Sequence, residues 1–342
     1  MNFLVCPTTK KAIEKANDYF KVSNETITYP SFDGIPNLLV YPEQESMSEK
    51  EELCQLVKAA RTDGWSAALS IIHGDKPGFI QYVTDQMRLI ILDLLPISPD
   101  HDVLEIGHGL GQFSVELARR SRQVSFLEIV PGQASFTALR LEQSAMTKFE
   151  IAVGGNDCSL PYSDNSFDSI VANLVLEWCG ARALRTPEES QRLFLKECIR
   201  CLKPGGRLLL STKNRYGFNY LLGGTDEHSY GLRFGQALPR FVNSLRLRLR
   251  GHKRPAGWLH SYNQLTKICV GTGFAIDRTV WLVPEMRFPK ACADNEPMAL
   301  RQYRLSTAFP LADGRRRTRV MSFLLDWVLK HVGQGLTFVL LK

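Results

Sequence analysis

The stretch VLEIGHGLGQFSVELARR, Val103 to Arg120, most constrains the fold of this 342-residue chain. A short apolar run is followed by three glycines at alternate positions, Gly107, Gly109 and Gly111. A run with helical spacing comes next, in which Phe113 and Leu117 lie one turn apart. Strand, tight turn and helix in that order make an α/β unit. The pattern recurs: QVSFLEI, FEIAVG, FDSIVANLVL and RLLLSTKN read as further strands, so residues 99–214 are expected to form an α/β domain with a parallel sheet. Before the last of them a helix is predicted over 187–202, with Thr186 as N-cap, Pro187 at its first position and Glu189 completing a capping box.

Glycines after a buried strand let a ligand approach the backbone closely. Their spacing here is GxGxG, not the GxGxxG of dinucleotide sites. Glu105 ends the strand as a carboxylate, which disfavours a pyrophosphate and favours a cationic ligand such as an amino group or a sulfonium. Glu128 stands 21 residues after Gly107, at the end of the second strand, where acids bind ribose hydroxyls. Asp157, after the third strand, is placed to accept from an exocyclic amine, and Cys158 beside it offers an N–H and apolar packing. Asn173 and Leu174 follow the fourth strand, at the edge where such folds bind ligands.

The succession VLEIGHGLG, FLEI, NDCSLPYSDNSFDSIVANLVLEW and CLKPGGRLLLSTKNR, spanning 103–214, resembles the class I S-adenosylmethionine-dependent methyltransferases of the type 11, UbiE-like kind. The resemblance implies a Rossmann-like, seven-stranded, mostly parallel sheet with helices on both faces, and S-adenosylmethionine as cofactor. It assigns Glu105, Gly107, His108, Gly109, Gly111, Glu128, Ile129, Asp157, Cys158, Asn173 and Leu174 to that cofactor. His108 stands where a Cys is frequent, and Leu110 where a small residue is usual. Residues 1–45 resemble a Trm112-like unit in their finish, Tyr29-Pro30 and Asp33–Pro36. Their start is reduced to Cys6-Pro7, with Thr9 where a second cysteine would be, so no metal site is expected.

The remaining organisation is expected to be a helical segment over 46–98, the methyltransferase domain over 99–342, an acceptor-side loop over 214–260 and an insertion over 284–334. The stretch STKNRYGFNYLLGGTDEHSYGLRF resembles a segment of bacterial methyltransferases encoded with glycan or natural-product genes. It points to Asn214, Arg215 and Tyr216, with Trp178, as acceptor-binding residues. His228, with Asp226, is the candidate general base, since an imidazole titrates near neutrality.

Eight scattered cysteines read as reduced thiols, with Cys198 and Cys201 as packing residues in a helix. The N-terminus lacks the charged-then-apolar plan of a signal peptide and no apolar run reaches membrane-spanning length, so a cytoplasmic protein is expected. The net charge of +7 matches the seven cations between Tyr230 and Leu259, a stretch without an acid. This basic segment suits a solvated face, a nucleic acid, a lipid phosphate surface or an anionic acceptor. The reading is methyl transfer to an oxygen or nitrogen of a small-molecule, natural-product or saccharide-type acceptor, anionic or lipid-linked, by a protein peripheral to the membrane if lipid is involved. The alternatives are an RNA methyltransferase of tRNA type using the basic patch, and a non-catalytic cofactor-binding partner protein.

Overall fold

The computed structural model describes residues 3–41, 47–180, 185–283, 285–294 and 331–342. Most of the 284–334 insertion therefore lies outside the described residues. The first 45 residues supply a four-stranded antiparallel sheet of β1 (Ile13–Ala16), β2 (Tyr19–Val22), β3 (Thr28–Phe32) and β4 (Ile35–Pro36). Turns at Asn24 and Asp33-Gly34, all at positive φ, allow such short strands to reverse. Helices α1 (Met47–Asp63), α2 (Trp65–His73) and α3 (Pro77–Thr84) follow, and then a 3-10 stretch over Gln86–Leu94.

The alternating pattern of the centre becomes β5 (Asp102–Ile106), α4 (Ser114–Arg120), β6 (Gln123–Glu128), α5 (Pro131–Gln143), β7 (Phe149–Val153), β8 (Phe167–Asn173), α6 (Pro187–Cys201) and β9 (Leu202–Lys213). The capping box at Thr186 and Glu189 is formed as the sequence requires. After β9 come α7 (Phe218–Leu221), the two-residue strands β10 (Thr225–Asp226) and β11 (Leu232–Arg233), and the helices α8 (Arg240–Leu249) and α9 (Tyr262–Gly271). Strands β12 (Ala275–Val283), β13 (Ala291–Asp294) and β14 (Gly335–Leu341) close the chain.

The main sheet runs β13-β12-β14-β9-β8-β5-β6-β7. Strands β5 to β9 are parallel, and β14 inserts antiparallel between β9 and β12. The sheet thus has eight strands rather than the expected seven. The eighth, β13, comes from the stretch expected as an insertion, pairs with β12 and extends the sheet edge. Because successive strand residues face opposite ways, Leu104 and Ile170 pack under α6 and α9, while Val103 and Val171 pack under α4 and α5. Both faces are covered, which is why these strands read as continuous apolar runs.

Cys198 and Cys201 are fully buried on the inner face of α6, and burial pushes the Cys201 thiol up to about 12. The N-terminal sheet docks on the same domain: Leu38 N–H donates to Val153 O at 2.7 Å, and Val5 N–H to Pro161 O at 2.9 Å. Cys6 is buried there, its sulfur within 3.1 Å of both Thr8 Oγ1 and Tyr29 Oη. Burial raises its pKa, but these hydrogen bonds prevail and hold the thiol down at about 7. Among the described residues no helix is long and apolar enough to cross a membrane.

Candidate functional site

All loops at the carboxyl ends of β5, β6, β7 and β8 open on one edge of the sheet, beside the point where strand order reverses. Gly107 sits there at φ +70°, and a Cβ on it would fall 2.5 Å from Val175 Cγ2. Gly109 N–H donates to Glu128 Oε2 at 2.9 Å, while Ile129 N–H donates to Oε1 at 2.7 Å. These bonds fix the carboxylate on the wall of a cavity of about 360 Å³. Gly107, Gly109, Ile129, Asn156, Cys158 and Leu174 share that wall, with apolar surface from Leu127, Val175 and Phe194.

A smaller cavity of about 190 Å³ adjoins it behind the glycine turn, lined by Glu105, His108, Arg88 and Asn173. Burial pushes the Glu105 carboxyl up to about 7, against a hydrogen bond from Ser114 Oγ at 2.7 Å and the nearby guanidinium groups of Arg140 and Arg88. Burial holds His108 at about 4, so its imidazole is neutral. Its Nδ1–H donates to Gly109 O at 3.1 Å. Arg88 is buried, its guanidinium 3.9 Å from the Tyr82 ring centroid, and it donates to Tyr82 O. The Nε of Arg88 is buried without a hydrogen-bond partner. Sequence reading missed this residue, although a lone cation in the apolar run MRLIILDLL was a signal.

The third cavity, about 590 Å³, is walled by Phe79, Tyr82, Trp178, Lys213, Glu227, His228, Arg287 and Phe288. His228 is held from two sides. Its Nδ1–H donates to Asp226 Oδ1 at 3.0 Å, and its ring lies 4.7 Å from the Trp178 ring. Asp226 also accepts the N–H groups of His228 and Gln236, each at 2.9 Å. Burial raises the Asp226 pKa, but these bonds outweigh it and hold the carboxyl below its usual range. Nε2 of His228 is buried with no hydrogen-bond partner. Burial, with Arg287 nearby, brings Lys213 down to about 8, and Lys213 and Arg287 both pair with Glu227. Trp178 and Glu227 stand at the acceptor edge as expected, whereas Phe79, Tyr82, Lys213, Arg287 and Phe288 were not predicted, because they converge from α3, β9 and the loop after β12.

Leu174, at φ +59°, lines all three cavities, and Trp178 lines the two larger ones. Several predicted residues are not brought there. Asp157 turns to Ser159, accepting its N–H at 3.0 Å and its hydroxyl at 2.8 Å, and it is Asn156 and Cys158 that face the cavity. Gly111 packs against α5, where a Cβ would lie 3.1 Å from Thr137 Cγ2. Asn214 is buried and donates to His331 O and Gly333 O, both at 2.8 Å. Arg215 is buried and donates to Gln236 O at 2.6 Å and Leu238 O at 3.0 Å. Both thus tie the loop to the returning chain. Tyr216, half-buried, lies under the Arg215 guanidinium and lines none of these cavities.

Residues 104–210 match the family described as methyltransferase domain. Over 123 residues the chain is 36% identical to a biotin biosynthesis bifunctional protein of Cellvibrio japonicus, covering 36% of this chain and 22% of that protein. It is 34% identical over 116 residues to a malonyl-[acyl-carrier protein] O-methyltransferase of Methylococcus capsulatus, covering 33% of this chain and 38% of the relative. The chain thus spans well under half the length of these relatives. The structure of the [4+2]-cyclase SpnF aligns over 75% of this chain and 80% of its own at 17% identity, with a TM-score of 0.46.

The residues present suit S-adenosylmethionine. Glu128 is fixed where ribose hydroxyls need an acceptor, Gly107 packs too close to Val175 for any side chain, and Glu105 places a carboxyl on the adjoining cavity, the charge a cationic end calls for. Residues 104–210 thus match the methyltransferase-domain family, and the residues around them fit S-adenosylmethionine as cofactor.

Proposed function

We propose that the chain transfers a methyl group to an oxygen or nitrogen of a small-molecule acceptor, of natural-product or saccharide type, seated in the 590 Å³ cavity. The observation that carries this reading is the shared wall. Leu174 and Trp178 separate the Glu128 cavity from one lined by an imidazole whose buried Nε2 has no hydrogen-bond partner. When bound, S-adenosylmethionine supplies an electrophilic methyl on a sulfonium sulfur.

The chain's own residues do the rest. Glu128 binds and orients from one side, while Trp178 and the aromatic residues Phe79, Tyr82 and Phe288 position the acceptor and exclude water. His228 Nε2 receives the acceptor's proton. Nδ1–H is already committed to Asp226, so Nε2 is the nitrogen with a lone pair, and the buried carboxylate stabilises the imidazolium that forms. Glu227, between Lys213 and Arg287, sets a charged rim that selects acceptors by their polar groups.

The test is calorimetry with S-adenosylmethionine, followed by transfer of labelled methyl from it into fractionated cell extract. Wild type is expected to bind and to label one fraction. Failure to bind at micromolar concentration, with Glu128→Ala behaving identically, would refute the reading.

A further inference from the structure

Helix α8 has a dressed side and a bare one. Its inner side buries Asn243 and Leu247, and Asn243 Nδ2 donates to Ser229 Oγ at 3.1 Å. Its outer side carries Phe241, Leu245 and Leu249, which are 77%, 59% and 79% exposed. Steps of four residues place these three on one stripe of a helix about 15 Å long. An apolar residue left in water is ordinary when alone; three in register on one short helix are not.

Cations border the stripe. Arg246 and Arg248 lie to either side of it, Arg250 follows the helix, and exposed Lys253 and Arg254 come next. Arg246 also donates to Arg233 O at 2.9 Å, so the loop with exposed Arg233 and Phe234 runs alongside. Leu221 and Leu222, before that loop, are exposed as well. Arg240, counted with this basic segment in sequence, does not belong to the surface. Its guanidinium lies 3.7 Å from the Trp258 ring centroid, and it donates to Leu259 O at 2.6 Å.

We propose that this face docks on an anionic lipid bilayer. The apolar stripe would enter the acyl boundary, and the flanking arginines and lysine would meet lipid phosphates. Charge complementarity selects this occupant, since the stretch from Tyr230 to Leu259 holds no acidic residue. A nucleic acid would use the cations but leave the aliphatic side chains Leu245 and Leu249 in water, and it calls for stacking aromatics that the helix offers only at Phe241. The inference is independent of methyl transfer.

Co-sedimentation of the full chain with vesicles tests it, comparing phosphatidylcholine alone with a mixture of which about a third is phosphatidylglycerol. Wild type is expected to pellet with the anionic vesicles and to be released by salt. A Phe241→Ser/Leu245→Ser/Leu249→Ser variant is expected to lose affinity at least about tenfold with its charge unchanged. An Arg248→Gln/Arg250→Gln variant keeps the stripe and is expected to lose about tenfold or more. Unchanged melting and cofactor binding would show that the fold is intact. Equal binding to both vesicle types, no binding to either, or an unaffected triple serine variant would overturn the proposal. So would binding to transfer RNA, in place of vesicles, that survives the triple variant.

Discussion

Two histidines invite comparison. His108 in the glycine turn and His228 after β10 are both buried, both line a cavity, and both have an Nε2 without a hydrogen-bond partner. They differ in what holds Nδ1. For His108 it is the Gly109 carbonyl, and with burial around it the imidazole stays neutral, with a pKa near 4. For His228 it is the buried Asp226 carboxylate, kept ionised by two backbone N–H groups. A carbonyl fixes a tautomer, whereas a carboxylate also supports the positive charge an accepted proton brings. The proposed function accordingly assigns the base to His228, whereas His108 lines the cavity behind the glycine turn.

The sharpest way to break that distinction is His228→Gln. It is expected to slow methyl transfer about 10²- to 10⁴-fold, while cofactor affinity by calorimetry stays as in wild type. Next in size is Glu128→Ala. Loss of a carboxylate that accepts from both Gly109 and Ile129 is expected to weaken cofactor binding about 10- to 100-fold in the same calorimetric measurement.

A smaller effect concerns pH. Glu105 has its pKa raised to about 7, and a cationic ligand prefers its ionised form. Binding of S-adenosylmethionine is therefore expected to be strongest above pH 7 and to weaken below it, by at most about tenfold per pH unit. Glu105→Gln should show no such slope, and a slope retained by that variant would place its origin elsewhere. The smallest effect is that of His108→Gln, which is expected to leave the rate of transfer within a few-fold of wild type at saturating cofactor and to act on cofactor affinity.

The two sides of the site were unequally legible in sequence. The donor side is local: each strand ends in its own loop, so Glu105, Gly107, Glu128 and Leu174 are readable from spacing along the chain. Asp226 and His228 share that property, being two residues apart on one tight turn. Asn214 and Arg215 do not. Their polar groups are spent on carbonyls of His331, Gly333, Gln236 and Leu238, partners that spacing cannot reveal. Asn214→Ala is accordingly expected to cost about 1–3 kcal/mol of stability in denaturant unfolding, by leaving buried carbonyls unpaired, with little change in acceptor KM.

Arg88 and the eighth strand were missed for the same reason. One is brought under the glycine turn by a helical segment, and the other is paired to β12 by a hairpin at the sheet edge.

The most direct measurement is transfer of labelled methyl from S-adenosylmethionine to a fractionated extract by wild type and by His228→Gln, with cofactor affinity measured in parallel. The expected result is one labelled fraction with wild type, about a hundredth of that rate or less with the variant, and equal affinity for both. Equal rates for the two proteins, or cofactor binding by wild type without label in any fraction, would contradict it.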